Sequence, residues 1–464
     1  MVAKTILEEL AEFAVGISFE EIPKPVVRQA NRCFIDLMGC FLGGFSIEQN
    51  RKLLTLALEI NPKPEATVWG TGHKAGMAEA AMAHGCLAYH LEYDDGISLG
   101  AHWGSEAIPA ALAAAEVGGC GGRDFLTAVV LAYEVGNRVS RVFSRDLLAR
   151  GVHFPCAMGA FGAAAGVAKL MGLSAAQTAS ALGNACLSPV APYGPAFSGA
   201  AIKDAYSGWP NALGIIMVRL SQAGWDGPKD LLEGPEGMGR ILGWRGSTQE
   251  LRRGILDGIG EEFEIMRTYF KPFPCCRWLH AAVQAMLDLK EQGEWTATEV
   301  ESILVEGPGF LRMYDKTEEI DQEIKARYSL PYVVSAAALF GHLGIEEFDE
   351  LRRGHPPLLA LMDRVKVGVD PSLDQAFPDQ FRTRVSVQSK GGKLWKNESG
   401  LPWGPDNPPT DTELTQKFSY LAGRVLAPVQ IQSWLELFAK GIESDEGLGR
   451  LLGLLSGITK KHDS

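Results

Sequence analysis

The first 265 or so residues repeat one pattern, in which apolar side chains recur at spacings of three and four. Residues 26–44 carry it with Val26, Val27, Ala30, Phe34, Leu37, Met38 and Leu42. Such a stripe is typical of an amphipathic α-helix that buries one face. The same spacing recurs at residues 77–91, 107–117, 124–144, 157–171, 175–188 and 210–223. The N-terminal half is therefore predicted to be helical.

Two segments of this half carry additional signals. Pro109 stands near the start of the predicted helix 107–117, where the first turn tolerates proline. Residues 157–166 are mostly Ala and Gly. A phosphate-binding loop would continue into Lys-Ser/Thr or a GxGxxG pattern, and neither follows. We interpret the small residues as a close contact between helices.

The pattern changes from about Lys271 onwards. Residues 300–305 read as a strand, and residues 365–369 and 385–387 alternate valine with polar or small residues. Gly391-Gly392 predicts a two-residue hairpin turn before the next strand. Helices are predicted between these strands, at residues 277–291 and 326–342.

The end of the chain returns to helical character. Thr410 and Glu413 form a capping box that opens a new helical run after a Pro- and Gly-rich stretch. A chain of 464 residues is too long for one small core. We predict a mainly α fold, in which residues 1–268 and 403–464 form a large helical domain and residues 269–402 form an inserted α+β lid domain.

Composition excludes several classes of function. The net charge of −12 disfavours nucleic acid and anionic membranes as partners. No apolar run reaches the roughly 18 residues of a membrane span. Glu8 and Glu9 lie where a signal peptide would need an uninterrupted apolar stretch. The eight cysteines form no CxxC pair, which argues against a zinc or iron–sulfur site. We expect a cytoplasmic protein that has no bound metal.

A cluster of ionisable residues lies at the edge of this apolar region. His90, Glu92, Asp94 and Asp95 are followed seven residues later by His102. Ionisable groups beside buried helices are costly unless they are paired or used, so the cluster favours an enzyme. A metal site is one alternative, and a solvated helix end with salt bridges is the simpler one. On a helix, Glu92 and Asp95 would share a face.

Four further positions favour chemistry on an anion. His102 lies at a loop–helix junction, where it is either a general acid or base or a histidine that caps the helix. His153 directly precedes the small-residue segment. Lys203 and Lys271 lie among aromatic, Gly and Pro residues, where a cation is more readily enclosed and meets an anionic ligand.

Taken together, these motifs resemble those of the MmgE/PrpD family over nearly the whole chain. The similar segments are, in order, residues 90–96 with His102, 151–165, 203–208, 232–237, 271–277 and 325–332. The family includes 2-methylcitrate dehydratases, cis-aconitate decarboxylases and an iminodisuccinate epimerase. The resemblance implies a helical domain with an α+β lid, a homodimer, a site between the domains and no obligatory metal or organic cofactor.

By position, the resemblance implies Glu92, Gly96, His102, His153, Lys203, Lys271 and Tyr314 as site residues. Our catalytic candidates are His102, His153, Lys203, Lys271 and Tyr314, and our substrate-binding candidates are Glu92, Asp94, Asp95, Gly96, Tyr206 and Arg277. The three acidic residues among them either contact the substrate or only hold the loop. Several positions depart from the family pattern, among them Trp103, which stands where the family often has Pro, and Glu106, which adds a carboxylate. Glu92 replaces Asp, Gly96 replaces Thr and Tyr206 replaces His, which exchanges a base for a phenol. The substrate pocket is therefore expected to differ.

The chemistry shared by such enzymes passes through a carbanion-like centre next to a carboxylate. Lys203 and Lys271 would hold the carboxylates, and His102, with His153 second, would move the proton. We predict a cofactor-independent lyase, a dehydratase or decarboxylase, that acts on a small di- or tricarboxylate. The alternatives are an isomerase or epimerase of a related acid and a non-catalytic binding protein. The persistence of both histidines and both lysines disfavours the last.

Overall fold

The structure is a computed structural model that describes residues 4–188, 191–293, 295–317, 320–377 and 380–458. Its first part contains α1 Ile6–Gly16, α2 Lys24–Phe45, α3 Glu48–Ile60, α4 Met77–Tyr89, α5 Trp103–Gly118, α6 Gly122–Ala149, α7 Phe154–Leu170, α8 Ala175–Gly183, α9 Gly194–Ser198, α10 Ala205–Gln222, α11 Met238–Ile241 and α12 Thr248–Leu256. The seven helices predicted from apolar spacing are confirmed as α2, α4, α5, α6, α7, α8 and α10. In the described ranges, no helix has the length and apolarity that a bilayer crossing requires.

Helix α7 packs closely against its neighbours through small residues, as the sequence predicts. A Cβ atom built on Gly162 would lie 2.6 Å from the carbonyl oxygen of Ala132 in α6. One built on Gly214 of α10 would lie 2.5 Å from the Ala163 side chain. Since side chains cannot approach this closely, the small residues are required by helix packing.

The prediction that Pro109 occupies the first turn of its helix is wrong. Helix α5 begins at Trp103, so Pro109 lies inside it. A proline there cannot donate to the carbonyl four residues earlier. Asn211 supplies the missing donor, because its side-chain amide donates to the carbonyl oxygen of Ser105 at 2.8 Å and accepts from the Ala110 N–H at 2.9 Å. Asn211, which lies 101 positions after Ala110, thus compensates for a proline inside the helix.

The α+β part follows. It contains α13 His280–Gln292, β5 Val300–Gly307, α14 Glu323–Arg327, α15 Leu330–Phe340, α16 Glu350–Arg353, α17 Pro356–Met362, β6 Val365–Val369, α18 Pro371–Ala376, β7 Arg382–Ser389 and β8 Leu394–Gly400. Its sheet has the order β6-β5-β7-β8, in which β5 and β6 are parallel and the other pairs antiparallel. Four short strands in the first part form two ribbons, β1 Ala66–Val68 with β2 His73–Ala75, and β3 Gly96–Ile97 with β4 Thr268–Tyr269.

The hairpin between β7 and β8 differs in detail from its prediction. The Gly392 N–H donates to the carbonyl of Ser389 at 2.9 Å, and the Ser389 N–H donates to the carbonyl of Lys393 at 2.9 Å. Only Gly392 has a positive φ, of 81°. This is a three-residue loop in which a type I turn is followed by a left-handed glycine, and a two-residue primed turn would need both central residues at positive φ.

The last part returns to the helical domain. It contains α19 Asp411–Ala422, α20 Pro428–Lys440 and α21 Asp445–Ser456. The Thr410–Glu413 capping box at the start of α19 is confirmed. One hydrophobic core combines residues from positions 6–270 with residues from 414–458, and a second lies within 273–387 together with Ala196. Both chain ends therefore build one helical domain, and the boundaries at 268 and 402 stay predictions.

Candidate active site

A small cavity lies between residues of the helical domain and residues of the α+β part. Residues of the helical domain and of the α+β part line it: Glu92, Ile97, Ser98, Leu99, Gly100, Ala101, His102, His153, Phe154, Pro155, Tyr193, Tyr269, Lys271, Cys276, Arg277, Trp278 and Tyr328. Five of the predicted site residues are among them, namely Glu92, His102, His153, Lys271 and Arg277. Each of four further predicted residues contacts one of the lining residues: Lys203 contacts Glu92, Asp94 contacts His102, Gly96 contacts Tyr269 and Tyr206 contacts His153.

Residues 90–95, here called the acidic motif, follow α4 and are not helical. The helix ends at Tyr89, and Glu92 has a left-handed φ of 52°. Such a conformation is uncommon for a side chain other than glycine and turns the chain sharply. The prediction that Glu92 and Asp95 share a helix face is therefore wrong, since their carboxylates have entirely different partners.

Glu92 binds both predicted lysines. All three side chains are at most 2% exposed. Glu92 Oε1 pairs with the Lys203 ammonium, and Lys271 Nζ lies 3.4 Å from Oε2 and 3.1 Å from the Glu92 carbonyl oxygen. Tyr328 donates its hydroxyl to Oε1 at 3.0 Å. Burial lowers the pKa of Lys203, and the charge of Asp204 opposes that shift. One carboxylate thus holds two dehydrated cations together.

Asp94 connects this ion cluster to His102. Its Oδ1 lies 3.6 Å from Lys271 Nζ, and its Oδ2 lies 3.3 Å from His102 Nδ1. Ser105 donates its hydroxyl to Oδ2 at 2.5 Å. Although burial acts to raise the pKa of Asp94, His102, Lys271 and Ser105 together hold it below its usual range. Asp94 is therefore an anion that orients His102.

Asp95 faces away from the cavity. It accepts from the Tyr133 hydroxyl at 2.5 Å and from the Gly104 N–H at 3.1 Å. Burial and then the charge of Asp36 raise the pKa of Asp95 to about 7. Its carbonyl oxygen accepts from His102 Nδ1 at 2.9 Å. Asp95 therefore supports His102 from outside the cavity, and its predicted contact with substrate stays a prediction.

His153, the residue before α7, also lines the cavity. It is 2% exposed, and burial followed by the nearby His102 lowers the pKa of His153 to about 3. Its Nε2 lies 3.2 Å from the Tyr89 hydroxyl. Tyr206 packs its ring against His153 at 5.0 Å, while its own hydroxyl donates to the Pro192 carbonyl at 2.8 Å.

Sequence comparison connects this geometry to known proteins. The sequence profile of the MmgE/PrpD N-terminal domain matches residues 8–249, and that of the C-terminal domain matches residues 273–439. The chain belongs to the MmgE/PrpD family. Among curated members, the cis-aconitate decarboxylase-like protein oryM of Aspergillus oryzae is 24% identical over 97% of both chains. A cis-aconitate decarboxylase of Aspergillus terreus is 23% identical over 97% of this chain and 96% of its own.

The structure explains one departure from the MmgE/PrpD pattern. Gly96 pairs with Tyr269 in the β3–β4 ribbon, and a Cβ atom at position 96 would lie 2.6 Å from the Tyr269 hydroxyl oxygen. The phenol therefore occupies space that a threonine side chain would need. The Arg277 guanidinium lies 4.4 Å above the Tyr269 ring, and burial raises the pKa of Tyr269 to about 12, so the hydroxyl stays protonated.

The remaining predicted residues lie outside the cavity. Tyr314 is buried against Phe197 and Tyr328, with ring centroids 5.9 and 6.3 Å apart. Its catalytic role stays a prediction. His90 pairs with Asp204 at 2.6 Å. The alternative of a solvated helix end is wrong, because Glu92, Asp94 and Asp95 are buried and lie beyond the end of α4. Within the described ranges, no three His, Cys, Asp or Glu side chains are placed to hold one metal ion.

Sequence reasoning missed three tyrosines at this site. Tyr328 lies inside a motif that carried the family resemblance, so it could have been selected there. Tyr269 lies two residues before Lys271. Its only signal in the sequence was the glycine at position 96, which leaves the space that the Tyr269 hydroxyl occupies. Tyr89 gives no signal beyond its place beside the acidic motif, because its partner His153 is 64 residues away.

Proposed function

We propose that this chain is a lyase, a decarboxylase or dehydratase, that acts on a small di- or tricarboxylate. The supporting observation is the pair of buried ammonium groups of Lys203 and Lys271 held by Glu92 beside the cavity. Cations that are already dehydrated and oriented attract a carboxylate more strongly than they would in water. The buried guanidinium of Arg277 lines the same cavity.

His102 is the proposed proton carrier. Its Nδ1 faces two acceptors, the Asp95 carbonyl and the Asp94 carboxylate, so the ring proton resides on Nδ1. Nε2 is then free to accept or deliver a proton. The His102 side chain is 13% exposed, which allows exchange of that proton with solvent between turnovers.

The proposed chemistry separates binding from proton transfer. In a decarboxylation, the carbon–carbon bond to one carboxylate breaks, carbon dioxide leaves, and the electron pair is delocalised onto a neighbouring carboxylate. Lys203 and Lys271 stabilise that charge, and the His102 imidazolium then protonates the carbon. In a dehydration, His102 removes the proton next to the carboxylate, and the resulting imidazolium delivers that proton to the hydroxyl, which leaves as water.

The named relatives favour the first reaction and a tricarboxylate substrate. Both are described as cis-aconitate decarboxylases or as similar to them. Their identity to this chain is below one quarter, and Glu92, Gly96 and Tyr206 depart from the family pattern at the site. The substrate is therefore proposed as a class. Isomerase activity, the homodimer, cofactor independence and a cytoplasmic location stay predictions.

Proton NMR in deuterated buffer tests the proposal. The purified protein is incubated with EDTA and a panel of di- and tricarboxylates, cis-aconitate included. A shortened product or a new alkene signal is expected, together with loss of turnover in folded His102→Ala. Deuterium uptake without release of water or carbon dioxide would support the isomerase instead. Turnover retained in His102→Ala would contradict the role of His102.

A further inference from the structure

Tyr89 is the buried phenol that contacts most of the proposed catalytic groups. Its ring lies 3.8 Å from the Lys203 ammonium and 5.1 Å from the His102 ring. Its hydroxyl lies 3.2 Å from His153 Nε2, and no other hydrogen-bond partner of that hydroxyl occurs in the described part of the chain. The residue is fully buried. Its contacts place it between the two histidines.

The direction of the Tyr89–His153 hydrogen bond follows from the donors available. A buried hydroxyl that fails to donate loses about 1–3 kcal/mol. His153 Nε2 is the acceptor within reach, so the Tyr89 O–H donates to it. A nitrogen that accepts carries no proton, and a neutral imidazole carries its proton on the other nitrogen. The proton of His153 therefore resides on Nδ1.

Nδ1 of His153 has no acceptor on any other residue in the described part of the chain. It is buried, in a side chain that lines the cavity. The titratable and charged groups around the ring are Tyr89, Asp94, His102, Tyr193 and Tyr206. The Tyr206 hydroxyl is engaged elsewhere. A ligand oxygen would satisfy the unused N–H.

We propose that Tyr89 fixes His153 as a neutral Nδ1–H hydrogen-bond donor to the reacting carboxylate, while His102 alone carries the transferred proton. The two histidines then hold complementary states. His102 presents a free Nε2 because its Nδ1 donates to Asp95, and His153 presents Nδ1–H because its Nε2 accepts from Tyr89. The carboxylate as the ligand of His153 rests on the proposed function. The tautomer of His153 rests only on the geometry of the free protein.

The proposed donor suits the charge that develops during reaction. When a carbon–carbon or carbon–hydrogen bond breaks, its electron pair moves onto a carboxylate oxygen. A neutral imidazole can donate to that oxygen without giving up its proton, which matches a ring that burial keeps uncharged. Tyr89 is a positioning residue in this scheme, because it acts on the substrate only through His153.

The tautomer can be measured without any substrate. Long-range proton–nitrogen NMR on protein labelled at its nine histidines, with His153→Asn to assign the signal, should show a neutral Nδ1–H ring for His153. Tyr89→Phe keeps the ring beside Lys203 and removes only the hydroxyl, so the His153 pattern should change. Tyr206→Phe is the matched control and should leave it unchanged. An Nε2–H ring, or the same pattern in Tyr89→Phe, overturns the proposal.

Activity separates a donor from a proton carrier. An asparagine at 153 can place an amide N–H near the position of Nδ1 but cannot titrate. We expect His153→Asn to keep turnover within about 10-fold of wild type and His153→Ala to lose about 10²–10³-fold. Equal loss in both variants overturns the donor role. If the wild type turns over no carboxylate, the proposed function fails while the NMR result on Tyr89 still stands or falls by itself.

Discussion

Replacement of Glu106 by Gln should make the protein's stability less dependent on pH. Glu106 lies in the first turn of α5, fully buried, and neither carboxylate oxygen has a hydrogen-bond partner within the described ranges. Burial, followed by the charges of Asp94 and Asp95, raises the pKa of Glu106 well above 4.5. The native side chain therefore holds its proton to a higher pH than the same side chain does in the unfolded protein.

The magnitude follows from proton linkage. Below pH 4.5, Glu106 is protonated in both states and its ionisation costs the fold nothing. As the pH rises from there through the raised pKa, the unfolded chain ionises first and the free energy of unfolding falls. Until that pKa is reached, the loss is about 1.4 kcal/mol per pH unit, and the slope is measured between about pH 5 and 7. Glu106→Gln removes this loss. A constant offset from the buried amide does not affect the slope.

Urea unfolding of wild type and Glu106→Gln over this pH range measures the difference. The free energies of unfolding should diverge with pH, in favour of the variant. Glu236 is 85% exposed, so Glu236→Gln is the control and should run parallel to wild type. Parallel curves for Glu106→Gln would show that Glu106 ionises normally in the folded protein and would refute the argument from burial.

Three further substitutions test the packing. Lys417→Met should lower the unfolding free energy by about 3–5 kcal/mol, since it leaves buried Asp36, now 2.7 Å from the ammonium, as an unpaired charge; a smaller loss in urea unfolding contradicts this. Gly44→Ala should cost about 3 kcal/mol, because its Cβ would lie 2.0 Å from the Leu87 carbonyl oxygen. Gly392→Ala meets no atom within 4 Å and should cost about 1–2 kcal/mol for its left-handed backbone alone; equal thermal shifts for both glycine variants would contradict the steric argument.

Sequence periodicity predicted the helices and strands well, because each buries one face and the spacing records that face. The errors arose where distant residues decide local structure. Pro109 was assigned to a first turn because nothing nearby in sequence shows that Asn211 can replace its missing donor. The acidic motif was given helical spacing because its left-handed residue, Glu92, is not a glycine.

The site was predicted less evenly. The lysines and histidines were selected from their unusual neighbours and from the family resemblance, and the structure brings them together. Spacing alone could not have shown that one carboxylate binds both lysines, since Lys203 and Lys271 are 111 and 179 residues from Glu92. The tyrosines were missed because a phenol acquires its role only from the three-dimensional neighbours of its hydroxyl.

The contact of α19 with the acidic motif has a consequence for how the protein is made. Lys417 donates to the carbonyl of Tyr93 at 2.6 Å as well as to Asp36 at 2.7 Å. During synthesis, residues 1–410 leave the ribosome before Lys417. Until then, the acidic motif lacks one of its hydrogen bonds and the Asp36 carboxylate lacks its counter-ion. The contacts of Lys417 with Tyr93 and Asp36 can therefore form only after α19 has been translated.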